Sequence, residues 1–241
     1  MKRIGFIGCY DKTDLIMYIA KILVATGKRV IVIDSTINQK AKYIVPVIRP
    51  TMSYVTEFEG IDVAVGFHDD DEIKGYLGMP IHAELDYDIA LIDVDNYESI
   101  ISFRIPEAEK NYFVTSFDAY SLKKGLEVLS GLPQVLNLTK ILFSRYATKE
   151  EDDYLNYLSL GYKIEWNEER IYFPFEVGDQ SVIVENQRVA KIKFKKLSAQ
   201  YKEALMFIAE ELLGKSSYTE IKKIFKQLEK AVWEDMWLKK S

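Results

Sequence analysis

The amino-acid sequence predicts an α/β fold, in which a doubly wound, mostly parallel sheet is flanked by helices. Three segments, 4–8, 29–34 and 88–93, are short and almost wholly apolar, as strands are when both faces of a parallel sheet are covered. A helical pattern lies between the first two, and strand–helix–strand units build parallel sheets. The 241 residues fit one large domain.

The elements follow from local patterns along the chain. After the strand at 4–8, apolar residues recur at helical spacing over 12–26, and Gly27 ends that helix. The acidic run from Asp69 to Glu72 is interpreted as the start of a short helix, because negative charge is favoured at a helix N-terminus. Further strands are predicted at 43–48, 61–67, 111–115, 140–143 and 170–173, and further helices at 120–129, 149–158, 198–213 and 219–238.

Composition excludes several classes of protein. A net charge of −5 argues against non-specific DNA binding, which needs a basic face. Cys9 is the single cysteine, so an internal disulfide and a cysteine-based zinc site are excluded. No apolar run approaches about 20 residues, and no signal peptide is recognisable. We therefore expect a cytoplasmic protein.

The segment from Gly8 to Thr13 has the layout of a phosphate-binding loop. A short apolar strand leads into a glycine-bearing turn, and Lys12-Thr13 opens a helix. Backbone N–H groups and a lysine arranged in this way cradle nucleotide phosphates. The local alternative is a plain helix start, with a capping threonine and a solvated lysine.

The order of motifs along the chain resembles the ParA/MinD family of partitioning ATPases, P-loop proteins with a deviant Walker A loop. The resemblance rests on the spacing from Lys12 through Gly27 to Asp34, and on ordered matches further along. These are the acidic strand 87–93, the unit 112–129, the loop at Ser144-Arg145, the Phe173-Pro174 turn and the helix 201–213. It covers nearly all of residues 1–214, which implies one P-loop domain of that extent, followed by a C-terminal helix in 215–241.

The resemblance also implies roles for individual residues. Gly8 belongs to the loop, Lys12 matches the lysine that contacts the β- and γ-phosphates, and Thr13 matches the hydroxyl that binds Mg²⁺. Asp34 and Asp93 match the acids that end two strands. Asp34 would also be a second contact of Mg²⁺. Arg145 lies in the loop that touches the base. If these roles are kept, the cofactor is ATP with Mg²⁺; the departures below predict weak binding or none.

Besides Ser144, which stands where the family often has an asparagine at the base, four positions depart from the family pattern. Ile7 stands where the family has a lysine that reaches the partner's nucleotide in a dimer, and Thr36 stands where it has a second acid. Cys9 and Asp11 replace loop glycines, which let the backbone converge on phosphate. A carboxylate about 4 Å from the polyphosphate is repelled by roughly 4 kcal/mol at an effective dielectric near 20. We expect Asp11 to pair with Lys12 or another nearby cation, as an internal anion.

The segment 219–238 predicts an amphipathic C-terminal helix. Its apolar positions include Ile224, Phe225, Leu228, Val232, Trp233 and Trp237, and lysines flank them. Three alternatives stay open: it packs on its own domain or on a second copy, it docks on a partner, or it lies on the inner face of the membrane. Glu229, Glu234 and Asp235 dilute its basic face, which places membrane contact last.

The expected function is that of a pseudo-ATPase or a very weak ATP hydrolase. Such a protein would act through protein–protein contacts, with a homodimer as one form, in positioning or assembling a cellular machine such as a pilus or secretion apparatus. The alternative is an active or nucleotide-sensing ParA-like ATPase that partitions plasmid or chromosomal DNA or localises a complex.

Overall fold

The computed structural model of the chain describes residues 1–47, 51–80, 82–145, 148–214 and 218–230. The strands are β1 Lys2–Ile7, β2 Val30–Asp34, β3 Tyr54–Phe58, β4 Ile61–Val65, β5 Ile89–Val94, β6 Lys110–Ser116, β7 Leu136–Ser144 and β8 Ile164–Pro174. The helices of the described ranges are α1 Thr13–Ala25, α2 Ala41–Ile44, α3 Asp70–Tyr76, α4 Tyr97–Ser102, α5 Ala119–Val128, α6 Lys149–Leu158, α7 Val177–Arg188, α8 Ala199–Leu213 and α9 Tyr218–Lys230, with a 3-10 turn at Ile105–Glu107.

These strands form one eight-stranded sheet in the order β3-β4-β2-β5-β1-β6-β7-β8. All neighbours are parallel except β3, which runs antiparallel to β4. The predicted fold class is confirmed. From β1 the chain builds outward to one side, then returns for β5 and continues on the other side. The loop after β1 therefore lies near the point where the strand order reverses, where open α/β sheets bind ligands.

Two apolar layers cover the sheet. On one face, α1, α8 and α9 pack with Phe6, Val32 and Leu91 of the central strands. On the other face, α3 to α6 contribute buried residues such as Ile73 and Leu155. The central strands β2 and β5 are buried throughout, as their unbroken apolar sequences predict. None of the described helices is long and apolar enough to cross a membrane.

The strand predicted at 43–48 is wrong over its described part. Residues 41–44 form the short helix α2, because the Asp34 carboxylate accepts the N–H of Ala41 at 2.9 Å and holds the first turn. Pro46 follows and cannot continue a helix. Ile48 lies outside the described residues.

Besides α2, other elements of the described ranges were not predicted from the sequence. They are the edge strand β3, the helices α4 and α7 and the 3-10 turn. In α7, Val177 and Val184 are exposed while Val182 and Ile183 are buried, so no single apolar stripe marks the helix.

The C-terminal helix packs on its own chain over its described length. Ile221 and Phe225 join the apolar cluster of α1 and α8, and the Phe225 ring lies 5.0 Å from that of Phe194. Ile224 is buried too, and Leu228 packs against the same cluster. These side chains cannot touch a partner or a membrane while α9 stays in place. Val232, Trp233 and Trp237 lie outside the described residues.

Candidate functional site

The loop after β1 is shaped by its one glycine. Gly8 has φ +136°, and a Cβ there would lie 2.3 Å from the carbonyl oxygen of Val114 in β6. Its N–H donates to Val94 O at 3.1 Å. The loop therefore leaves the sheet between the ends of β5 and β6, and only glycine fits that exit.

Lys12 and Asp93 form a buried ion pair inside the loop. Lys12 Nζ lies 2.7 Å from Asp93 Oδ1 and donates to Gly8 O at 2.7 Å, and both side chains are 2% exposed. Burial raises the pKa of Asp93 to about 7, against the lowering effect of the Lys12 cation, and the nearby charge of Asp34 adds to the rise. The lysine that would meet a phosphate thus already has an internal partner.

Asp11 pairs with Lys40 and not with Lys12. Its Oδ2 accepts from the Lys40 ammonium, and its Oδ1 accepts the N–H of Thr13 at 3.3 Å. Lys40 also lies 2.9 Å from Asp14 in α1. Burial lowers the pKa of Lys40, but the carboxylates of Asp14 and Asp11 outweigh it, so the pKa is raised. Asp11 is paired as an internal anion, on a cation that the sequence did not identify.

Both carboxylate oxygens of Asp34 accept hydrogen bonds from nearby residues of the chain. Its Oδ1 accepts the N–H of Thr36 at 3.1 Å and the Thr36 hydroxyl at 2.6 Å, while its Oδ2 accepts Ala41 N–H. The Thr36 Oγ1 in turn accepts the N–H of Gln39 at 3.0 Å. The two residues therefore organise the turn after β2.

Tyr10 fixes the outer side of the loop, and sequence reasoning missed it. Its ring lies 4.6 Å from that of Phe143 and 6.2 Å from that of Phe175. Cys9 is half-buried, and burial followed by the charge of Asp95 raises the pKa of its thiol. The signal in the sequence that could have identified Tyr10 is its size, because a turn of this kind needs no large aromatic side chain.

A cavity of about 240 Å³ opens at this loop. It is lined by Gly8, Cys9, Tyr10, Asp11, Lys12, Thr13, Thr36, Asn38, Lys40, Tyr43, Asp93 and Asp95. Most of the predicted site residues therefore come together here, and Ile7 lies fully buried just before them. Arg145 instead lines a separate cleft of about 540 Å³, between the end of β7, β8 and α8.

No protein-family model and no curated protein sequence matches this chain. Solved structures do match it. A ParA family ATPase from Chlorobium tepidum is 11% identical, with 88% of this chain and 98% of that chain covered and a TM-score of 0.57. The chain has the ParA/MinD ATPase fold. The MinC:MinD cell division protein complex of Aquifex aeolicus is 17% identical, with coverages of 89% and 96% and a TM-score of 0.58. MinD from the same organism is 15% identical, with coverages of 89% and 97% and a TM-score of 0.53.

Several groups of the loop that a nucleotide phosphate or Mg²⁺ would contact are engaged by the chain itself. Two donors that a phosphate could use, the Thr13 N–H and the Lys12 ammonium, already contact Asp11 and Asp93. Both oxygens of Asp34 accept hydrogen bonds from the chain. Within the ranges that the structure describes, no cluster of His, Cys, Asp and Glu is arranged to hold a metal ion.

Proposed function

We propose that this ParA/MinD-fold protein acts through protein–protein contacts and does not turn over ATP. Its role is the positioning or assembly of a larger cellular machine, of which a pilus or secretion apparatus is an example. The observation that carries the proposal is the ion pair between Lys12 and Asp93, 2.7 Å apart and 2% exposed on both sides. Phosphate would have to compete with a carboxylate already bound to that lysine.

Two further features support the absence of turnover. Ile7 offers no cation to a neighbouring nucleotide, and in related phosphoryl transfer such a cation is worth about 10³–10⁵ in rate. The Asp11 carboxylate lies at the start of α1, where the positive end of the helix would otherwise attract phosphate. Both substitutions act on the chemistry and leave the fold intact.

One of the similar solved structures supports a role in protein–protein contact. The Aquifex aeolicus structure is a MinC:MinD complex, so a chain of this fold is bound there to a different protein. A protein that does not hydrolyse ATP can change the state of its partners only by binding one state more tightly than another. Protein–protein contact is therefore the proposed mechanism. A homodimer is one form that this contact can take.

Titration calorimetry with Mg²⁺–ATP, paired with phosphate release, tests the proposal. We expect no binding heat at millimolar ATP and no release above that of Lys12→Ala. Lys2→Ala, an exposed lysine paired with Glu109 at the end of β1 away from the loop, is the matched control. Micromolar binding with turnover that Lys12→Ala abolishes would overturn the proposal, and binding without turnover would replace it with a nucleotide sensor.

A further inference from the structure

The cleft of about 540 Å³ between β8 and α8 follows the outer edge of the sheet. β8 is the last strand in the sheet order and, among the described strands, pairs only with β7. Its residues from Arg170 to Pro174 all line the cleft. Because an unpaired strand edge offers backbone hydrogen-bonding groups to any passing chain, proteins usually charge or cover it.

The edge of β8 is charged over its first part and not over its last part. Glu165, Glu168, Glu169 and Arg170 are exposed there, whereas the strand carries no charge from Ile171 to Pro174. Beside this uncharged part, α8 lines the cleft with Gln200, Glu203, Ala204 and Phe207. Their spacing places them on one side of the helix, and the large apolar side chain of Phe207 is 42% exposed. This end of the edge therefore suits an apolar occupant.

The segment 231–241 follows α9 directly and starts within reach of this cleft. Glu229, near the end of α9, pairs with Lys202 of α8 at 2.6 Å, and Lys202 is the neighbour of Glu203, which lines the cleft. An extended chain of this length spans at most about 40 Å, and a helix with its side chains is about 10–12 Å wide. The segment is therefore long enough to cross α8 and lie in the cleft.

The composition of the segment favours docking on an apolar surface. Its large apolar residues are Val232, Trp233, Met236, Trp237 and Leu238. α8 begins at Ala199, about one helical turn beyond Lys202, so a straight continuation of α9 would soon have no more of α8 to pack on. Large aromatic side chains bury about 150–250 Å² each when they pack, and the two indoles would forgo that burial.

We propose that the segment 231–241 docks in the cleft between β8 and α8 of its own chain, with its indoles against Phe207 and the uncharged end of β8. Charge does not oppose this docking, since Arg145, Arg170 and Glu203 line the cleft and the segment also carries both signs, on Glu234, Asp235, Lys239 and Lys240. Docked there, the segment shields the strand edge from pairing with another molecule. The loop after β1 takes no part, so the docking holds whether or not ATP is turned over.

Quenching of tryptophan fluorescence by acrylamide tests the docking in the full chain. The sequence has three tryptophans, so the variant Trp166→Phe reports on Trp233 and Trp237 alone, and a free peptide of residues 231–241 is the reference. We expect quenching at least about fivefold weaker than in the peptide, as for a segment that is docked most of the time. Adding Phe207→Ser should strengthen the quenching at least about twofold, because the docked state loses its aromatic contact.

Tyr157→Ser is the matched control, because Tyr157 is also exposed but lies on α6, which covers the opposite face of the sheet. If Trp166→Phe fails to fold, the difference between the wild type and Trp233→Phe/Trp237→Phe gives the same quantity. Quenching equal to that of the peptide, or protection that Phe207→Ser leaves unchanged, would overturn the proposal. Protection that requires a dimer in light scattering would also overturn it, since the segment would then dock on a second copy, and so would protection seen only with anionic phospholipid vesicles.

Discussion

At the loop after β1, the side chain of Lys12 has two partners, Asp93 and the carbonyl of Gly8. Removing one member of a buried ion pair is costly, because the other is left charged in a medium that solvates it poorly. An anion entering the loop must therefore replace Asp93 as the partner of Lys12, or bind without it.

The raised pKa of Asp93 predicts a pH dependence of stability. Its folded pKa of about 7 lies above the usual value of 3.8, so between about pH 4 and 7 the folded chain holds a proton that the unfolded chain has lost, and the ion pair with Lys12 is fully formed only above that range. That contribution is fully present below about pH 4. It disappears as pH rises through 7.

The variant Asp93→Asn should lack this component. Chemical denaturation of both proteins between pH 4 and 8 measures it, and the unfolding free energy of the wild type should fall relative to the variant by about 1–4 kcal/mol over that range. Asp118→Asn is a control with a lowered pKa, and it should shift the comparison only at the acid end. Parallel wild-type and Asp93→Asn profiles would show that Asp93 is ionised in the fold throughout.

Among the elements, α9 belongs to the core over its described length. Ile221 and Phe225 pack with α1 and α8, and Lys202 of α8 pairs with Glu229 at 2.6 Å. The exposed side of α9 carries Lys222 and Lys226. The helix therefore turns its apolar stripe inward, and its lysines are left for solvent or for a partner.

Phe225→Ala should destabilise the protein strongly. The side chain is 3% exposed and contacts Phe194, and truncating a buried phenylalanine costs about 3–5 kcal/mol. Lys226→Ala on the exposed side of the same helix should change the unfolding free energy by less than about 0.5 kcal/mol. Thermal and chemical denaturation check both values, and a near-neutral Phe225→Ala would mean that α9 does not pack on the domain in solution.

Helices and strands were predictable from the sequence where their burial leaves a regular pattern of apolar residues. The central strands β2 and β5 are buried on both faces, and an unbroken apolar run reveals such strands. The edge strand β3 is only partly buried, and α7 has apolar residues on several sides, so neither carries a clear period. Lys40 shows the same limit for the site, because its partners Asp11 and Asp14 are distant in sequence and only the fold brings them together.

At the scale of the whole molecule, the backbone fold resembles that of the known ATPases, while the side chains at the carboxyl edge of the sheet differ. The fold is that of the ParA/MinD ATPases, while two donors of the loop, the Lys12 ammonium and the Thr13 N–H, contact carboxylates of the chain. The same edge exposes apolar side chains next to those carboxylates. The ion pairs of the loop and the exposed apolar side chains thus share one edge of the sheet.

We propose that the loop side chains, and not the fold, prevent nucleotide binding. The double variant Cys9→Gly/Asp11→Gly places glycine at both loop positions and removes the carboxylate from the start of α1, so calorimetry with Mg²⁺–ATP should detect tighter binding than in the wild type. We expect a gain of at least about tenfold in affinity over the wild type, or about 1.4 kcal/mol. Equal binding by the two proteins, whether tight or absent, would contradict the account.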